Sequence, residues 1–535
     1  MPRLRRSIAA SSAAAGLLAL GIVQATPSVA ASSSSTTEAP SASVSPAATQ
    51  SIAGFGASGA WWPTAAANFS PAVQQEIGDL LFGQNGLGLS QYRYNIGAGG
   101  TGVVNPYKAP QTFLVNPGAY NWNADQAGLT FLRLANKFHV PQLIGFANSA
   151  PAAWTTNHLS CGGSLDPANQ HAYAQYLANV VAHLDSVEHI RLSFVSPVNE
   201  PDSPQASCHQ EGMTVPLAQR ASLIRQVAQA LRAQAPWSRE IADETSLVSS
   251  LLVEAPTWLS DPQVASSLAA IAHHTYDYPD AETLERVAQL PLQHWASEIC
   301  CFDGHDFGGG FDPTITSGLW LGNTIWADLA VAHDSAFDWW VALSPNLGCS
   351  PVGNASCPSA LHPTGRNDGL VYYDPNYATD QNQTLYLTKR YFALGNFSRY
   401  VRPGALAHQV TGLPVDVRGI AFQQTHDWTT VLINNSGQAR HIEIQLPLSA
   451  RTRVTATSTA VTDAAHNLTP AGAATVRGAL IKVDLTPASI TTVVARTAAA
   501  GALHALSRTS SFKTSAHSST TTTTAPDQDQ RSSTV

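Results

Sequence analysis

Between about residue 51 and residue 400 the chain alternates short apolar runs with longer stretches whose apolar residues recur at three- and four-residue steps. The short runs read as strands: "SIAGFGASG", "LGLSQYRYNIG", "VPQLIGFANSA", "IRLSFVSPVN", "REIADETS", "LAAIAHHTYD", "LQHWASEIC" and "SAFDWWVAL". The longer ones read as amphipathic helices, among them "NQHAYAQYLANVVAHLDS", "PLAQRASLIRQVAQALRAQ", "AETLERVAQL", "LWLGNTIWADLAVAHD" and "LYLTKRYFALGNFSRYV". This repeating unit predicts an α/β chain built on a (β/α)8 TIM barrel over residues 51–400 rather than a doubly wound sheet. From about Val401 the texture turns to β-branched alternation, as in "RHIEIQLPL" and "ALIKVDLTPASITTVVA". Residues 401–497 are therefore expected to form an appended all-β side domain, sandwich-like, without a long helix.

The flanks follow neither period. Residues 1–30 combine a basic start, a short apolar run and a small-residue end, the pattern of a cleaved secretory signal with removal near Ala30 or Ala31. The Arg5-Arg6 pair leaves a twin-arginine route open. Residues 31–50 read as a Ser/Thr/Ala-rich linker, and 498–535, with "STTTTTAP", as a disordered tail, since neither has the apolar content for a core. No later stretch is apolar for long enough to span a bilayer, so a secreted, extracellular protein is expected.

Composition narrows the partners. Only 12% of residues are charged, the net charge is −8 and no basic stripe occurs, which argues against nucleic acid and for a neutral partner; a monomer is expected. The six cysteines lie beyond the signal and fit disulfides in an exported protein. Cys349 with Cys357 would close a short loop, and Cys161 with Cys208 would tie two loops that a barrel brings near each other. The neighbours Cys300-Cys301 stay unassigned. None has zinc-ligand spacing, so neither a metal nor another cofactor is expected.

A barrel of this kind carries its active site where strands end, and nearly every predicted strand ends in polar or aromatic residues. These are Arg93 and Asn95 on the second, Trp154 after the third, Asn199-Glu200 on the fourth, Asp243-Glu244 on the fifth, His274 and Tyr276 on the sixth, Glu298 on the seventh and Trp339-Trp340 on the eighth. Pro201 cannot continue the ladder and would help fix how Glu200 is presented. Two glutamates facing each other across a barrel mouth are what cleavage of a glycosidic bond requires, one protonated and one ionised, and a gap of about 5 Å implies the retaining, double-displacement route. The nearby aromatic rings suit sugar faces, so a polysaccharide or oligosaccharide substrate is expected.

Blander readings stand beside these. Glu298 in an apolar strand could serve a structural ion pair with Arg93. The Asp243-Glu244 pair could be catalytic, or could order the mouth through hydrogen bonds. Trp61-Trp62 could line a subsite or close the barrel. Adjacent histidines on a strand point to opposite faces, which favours structural or substrate hydrogen bonding for His273-His274 over a metal site.

In order along the chain, "GFGASGAWW", "YRYNIG", "NSAPAAWTTNHLSCGGSL", "SPVNEPD", "HHTYDYP" and "WASEIC" resemble glycoside hydrolase family 30, within the clan of retaining (β/α)8 glycosidases. The resemblance implies Glu200 as general acid/base, Glu298 as nucleophile and Asn199 near the sugar 2-hydroxyl. It implies that Arg93 and Tyr276 hold the nucleophile ionised and oriented, and that Trp154, Asp243, His274 and Trp339 line the substrate subsite; Trp340 is expected to bind substrate as an aromatic ring at the end of the eighth strand. It also implies a side domain joined by a strand from before the barrel, near Ala48 to Ile52. "ASGAWW" and "SEICCFDG" resemble the endo-β-1,6-galactanase branch; xylan, β-1,6-glucan or a glucosyl conjugate are the alternative substrates, and a carbohydrate-binding surface protein is the alternative outside enzymes.

Overall fold

The computed structural model describes residues 41–203, 205–301 and 309–499. Eight parallel strands close into a barrel: β1 (Gly54–Gly59), β2 (Gln91–Asn95), β3 (Gln142–Phe146), β4 (Phe194–Ser196), β5 (Arg239–Thr245), β6 (Leu268–His274), β7 (His294–Glu298) and β8 (Ala336–Ser344). Each pairs with its sequence neighbours, and β8 closes the ring by pairing Ala336 with Gly54 and Phe337 with Ala296. All eight predicted strands are present in the predicted order.

The helices between them form because their caps and apolar spacing agree. Asp125 accepts from Gly128 N and opens the helix Gln126–Lys137, while Asp280 accepts from Thr283 N and opens Ala281–Val287. In the helix Leu217–Gln234 the buried side chains Arg220, Leu223, Ile224, Val227, Ala228 and Leu231 recur at helical spacing and cover the barrel wall.

A second, ten-strand sheet lies beside the barrel. Its seventh strand in order is Ser41–Ser51, antiparallel to Leu406–Thr411 and parallel, through residues 41–43, to Arg440–Gln445. Composition marked the second half of the 31–50 segment as linker, yet its alternating small side chains place Ala42 and Val44 in the sheet's core. Val417, Trp428, Leu432, Ile442, Ile444, Ile481 and Val483, from both wings of the sheet, share that core, so the sheet folds over on itself. Its other face, with Ile420, Phe422, Val431 and Ile490, packs into the core that the barrel helices Ile315–Ala330 and Lys389–Ser398 close. The last strand, Ser489–Ala499, runs into the segment read as tail. The signal reading and the rest of the linker and tail readings lie outside the described residues. Among the described residues no helix is long and apolar enough to cross a membrane.

The barrel lumen changes character along its axis. At the floor Ile144, Ile241, Ala270, Ala272, Trp295 and Ala336 form an apolar plug. Above them Asp338 enters the lumen where Gly56 leaves room; a Cβ on Gly56 would lie 2.0 Å from the Asp338 carboxyl. At the C-terminal ends of the strands the lumen is lined by charge.

Candidate active site

Three glutamates, one arginine and one histidine converge there. Glu298 ends β7 and is buried; its Oε2 accepts from Arg93 Nη1 at 2.9 Å and its Oε1 from Tyr276 Oη at 2.9 Å. Glu200, just past β4, is partly open to solvent and holds a positive φ of 48°. Its backbone N–H donates to Glu244 O at 3.0 Å, and its Oε2 accepts from Gln205 Nε2 at 3.1 Å. One carboxylate oxygen of Glu200, one of Glu298 and a ring nitrogen of His274 lie within 4.8 Å of one another.

The surrounding charges set the protonation of this cluster. His274 Nδ1 is 3.4 Å from Glu200 Oε1 and 3.6 Å from Glu298 Oε1, and its Nε2 is 3.0 Å from Glu244 Oε2. Burial alone would lower the imidazolium, but Glu298, Glu200 and Glu244 push it up to about 10, so both ring nitrogens carry protons. Glu200, His274 and Glu298 also have the spacing of metal donors, and each His274 ring nitrogen already faces a carboxylate. Arg93 is buried and bonds Ser58 Oγ, Glu298 and Glu244; burial opposes its charge, but Glu244, Glu298 and Asp338 keep it above its ordinary value. Burial raises Glu244, yet Arg93, His274 and Ser297 outweigh that and hold it down to about 2. Burial raises Glu298 above its usual range, His274 and Arg93 pull it back, and Glu200 adds to the rise. Geometry decides for the anion, because Arg93 is an obligate donor aimed at Oε2.

The other residues expected to meet substrate divide into two groups. Asn199 is buried beside Glu200, and its Oδ1 has no hydrogen-bond partner among the described residues, the right state for receiving a hydroxyl. Trp340 faces the lumen, edge-on to Trp61 at 4.9 Å and beside Phe146, over which Arg93 stacks. Two expectations, Asp243 and Trp339, are corrected by position. Asp243 turns away from the mouth into a buried ion pair with Arg220 on the flanking helix, 2.8 Å away, and a hydrogen bond from Thr245. Trp339 is fully buried on the helix side of β8, packing against Trp320 and donating to Asp368 O. Trp154 is buried edge-on against Tyr173 and Tyr176 of the following helix.

Other residues join the site. Glu244, weighed in the sequence only as half of a pair, is the lumen-facing member. Of Trp61-Trp62, Trp61 lies at the mouth with Lys108 Nζ 3.8 Å above its ring, while Trp62 is buried and donates to Ser58 O. His273 points behind the wall to Asp334.

Three disulfides are present. Cys161–Cys208 and Cys349–Cys357 pair as the sequence indicated, and Cys300–Cys301 joins neighbours two residues past Glu298, with Tyr278 Oη donating to Cys300 O at 3.1 Å.

A parallel eight-strand barrel with two carboxylates at the C-terminal ends of β4 and β7, less than 5 Å apart, has the architecture of a retaining glycosidase. Comparison with known proteins points the same way: residues 42–265 match the model of O-glycosyl hydrolase family 30. Over 432 residues, 74% of this chain and 80% of the relative, the sequence is 23% identical to an endo-β-1,6-galactanase of Hypocrea rufa. The catalytic domain of a family 30 xylanase C from Talaromyces cellulolyticus superposes with a TM-score of 0.68 at 25% identity, covering 85% of this chain and 99% of that one. An exported protein of Bacteroides fragilis superposes at 0.71 with 22% identity and the same coverage. The chain is thus similar to glycoside hydrolase family 30 and is a retaining O-glycosyl hydrolase.

Proposed function

We propose that Glu298 is the nucleophile and Glu200 the general acid/base of a secreted enzyme that cleaves β-linked galactan, most closely as an endo-β-1,6-galactanase. The observation that carries the assignment is the Glu200–Glu298 gap, within 4.8 Å, which leaves no room for a water between carboxylate and anomeric carbon. Glu298 attacks C1 while Glu200 gives its proton to the departing glycosidic oxygen, forming a glycosyl ester on Glu298. Water then attacks C1, Glu200 takes its proton, and the ester bond breaks to return Glu298 as carboxylate. Arg93 and Tyr276 hold the Glu298 oxygens in the attacking orientation, and the free Oδ1 of Asn199 takes the sugar 2-hydroxyl.

The galactan reading rests on the Hypocrea rufa relative; the xylanase superposition supports xylan as the second reading. Product analysis of the mature enzyme on β-1,6-galactan, arabinogalactan, β-1,6-glucan and xylan separates them. Short β-1,6-galacto-oligosaccharides are the expected products. Xylo-oligosaccharides in their place would keep the two glutamates and discard the galactan.

A further inference from the structure

Glu244 touches neither catalytic carboxylate through its side chain, yet it binds Arg93, which holds Glu298, and His274, which faces both. Its Oε1 binds Arg93 Nη2 at 3.3 Å and its Oε2 binds His274 Nε2 at 3.0 Å, each on the side away from Glu298 and Glu200. Ser297 Oγ also donates to Oε2, from the strand that carries Glu298. Its carbonyl accepts the backbone N–H of Glu200, the residue held at positive φ. The side chain is fully buried, so these donors are its whole environment and solvent does not screen them. From this geometry we propose that Glu244 is a positioning residue for the hydrolysis, holding Arg93 and His274 against the two catalytic carboxylates. The proposal rests on the roles given above to Glu200 and Glu298.

Two consequences follow from charge. Without Glu244 the guanidinium loses one of the two carboxylates that fix its plane, and a shift of about 1 Å at the nucleophile is enough for a ~100-fold loss of rate. His274 faces Glu200, Glu244 and Glu298, with the Tyr276 ring 5.7 Å away and His273 beside it on the strand. Removing one of its three anions moves its titration to lower pH.

The test is Glu244→Gln, which preserves shape and removes the charge. Expected are a kcat on an activated aryl glycoside reduced ~10- to 100-fold with KM changed less than about twofold, and a His274 imidazole that titrates at lower pH than in wild type. The titration is read by NMR on 15N-histidine-labelled enzyme, with His274→Asn for assignment. Should Glu244→Gln fold poorly, Ser297→Ala removes one donor to Oε2 and should raise the demand on His274, giving a smaller kcat loss with KM unchanged. An unmoved His274 titration with wild-type kcat, or kcat losses that only follow the unfolded fraction, would overturn the proposal. Retained turnover in Glu298→Gln would instead overturn the reading beneath it.

Discussion

The floor and the mouth of the barrel are built by the same eight strands and differ in almost everything else. At the floor, inward positions carry Ile144, Ile241, Trp295 and small alanines, which pack against one another as an apolar plug. Farther along the same strands the inward positions carry Arg93, Glu244 and His274, a network in which each charge is held by the next. The first region stabilises through burial of apolar surface, which is non-directional. The second is costly to bury and is held by the pairing of each charge with its neighbour at the strand ends. Stability and chemistry are thus separated by a few residues along each strand.

That separation is open to attack from both ends. Glu298→Gln should cut kcat by at least about 1000-fold while thermal unfolding stays at or above the wild-type midpoint, since burial already disfavours the anion. Wild-type turnover in that variant would end the nucleophile assignment. At the floor, Trp295→Ala should cost about 3–5 kcal/mol in denaturant unfolding yet leave kcat per folded molecule near wild type. A large loss of kcat in the folded fraction would mean that floor and mouth are coupled.

Smaller effects sharpen the boundary. Glu200→Gln should lower activity ~100-fold or more on glycans with poor leaving groups and much less on aryl glycosides that leave unassisted, and equal losses on both would remove its acid role. Asp338 sits between the two regions, and neither of its oxygens has a hydrogen-bond partner among the described residues. Burial, against the pull of Arg93, pushes its carboxyl up to about 8. The native state therefore keeps a proton that the unfolded chain has lost, so this group's contribution to stability falls as pH rises from about 4 to about 8. Asp338→Asn should flatten that slope and add about 1 kcal/mol near pH 8 in denaturant melts. A slope identical to wild type would show that Asp338 is not the group that titrates.

The eight barrel strands, their order and the change to β texture after Val401 were legible because each strand is a bounded apolar run and each helix keeps its own period. Glu200, Glu298, Arg93 and His274 were legible as polar residues at strand ends, where burial without purpose is expensive. Asp243 against Glu244, and Trp339 against Trp340, were not. In a closed parallel barrel both faces of a strand are buried, one by the lumen and one by the helices, so hydrophobicity does not mark which neighbour points inward. Only the partners waiting on each side, Arg220 and Trp320 behind the wall and Arg93, His274 and Trp61 within, decide it. The sequence by itself determined the barrel and marked two glutamates at its strand ends; the tertiary structure alone chose their supports, because a charge is placed by what lies opposite it and not by what precedes it in the chain.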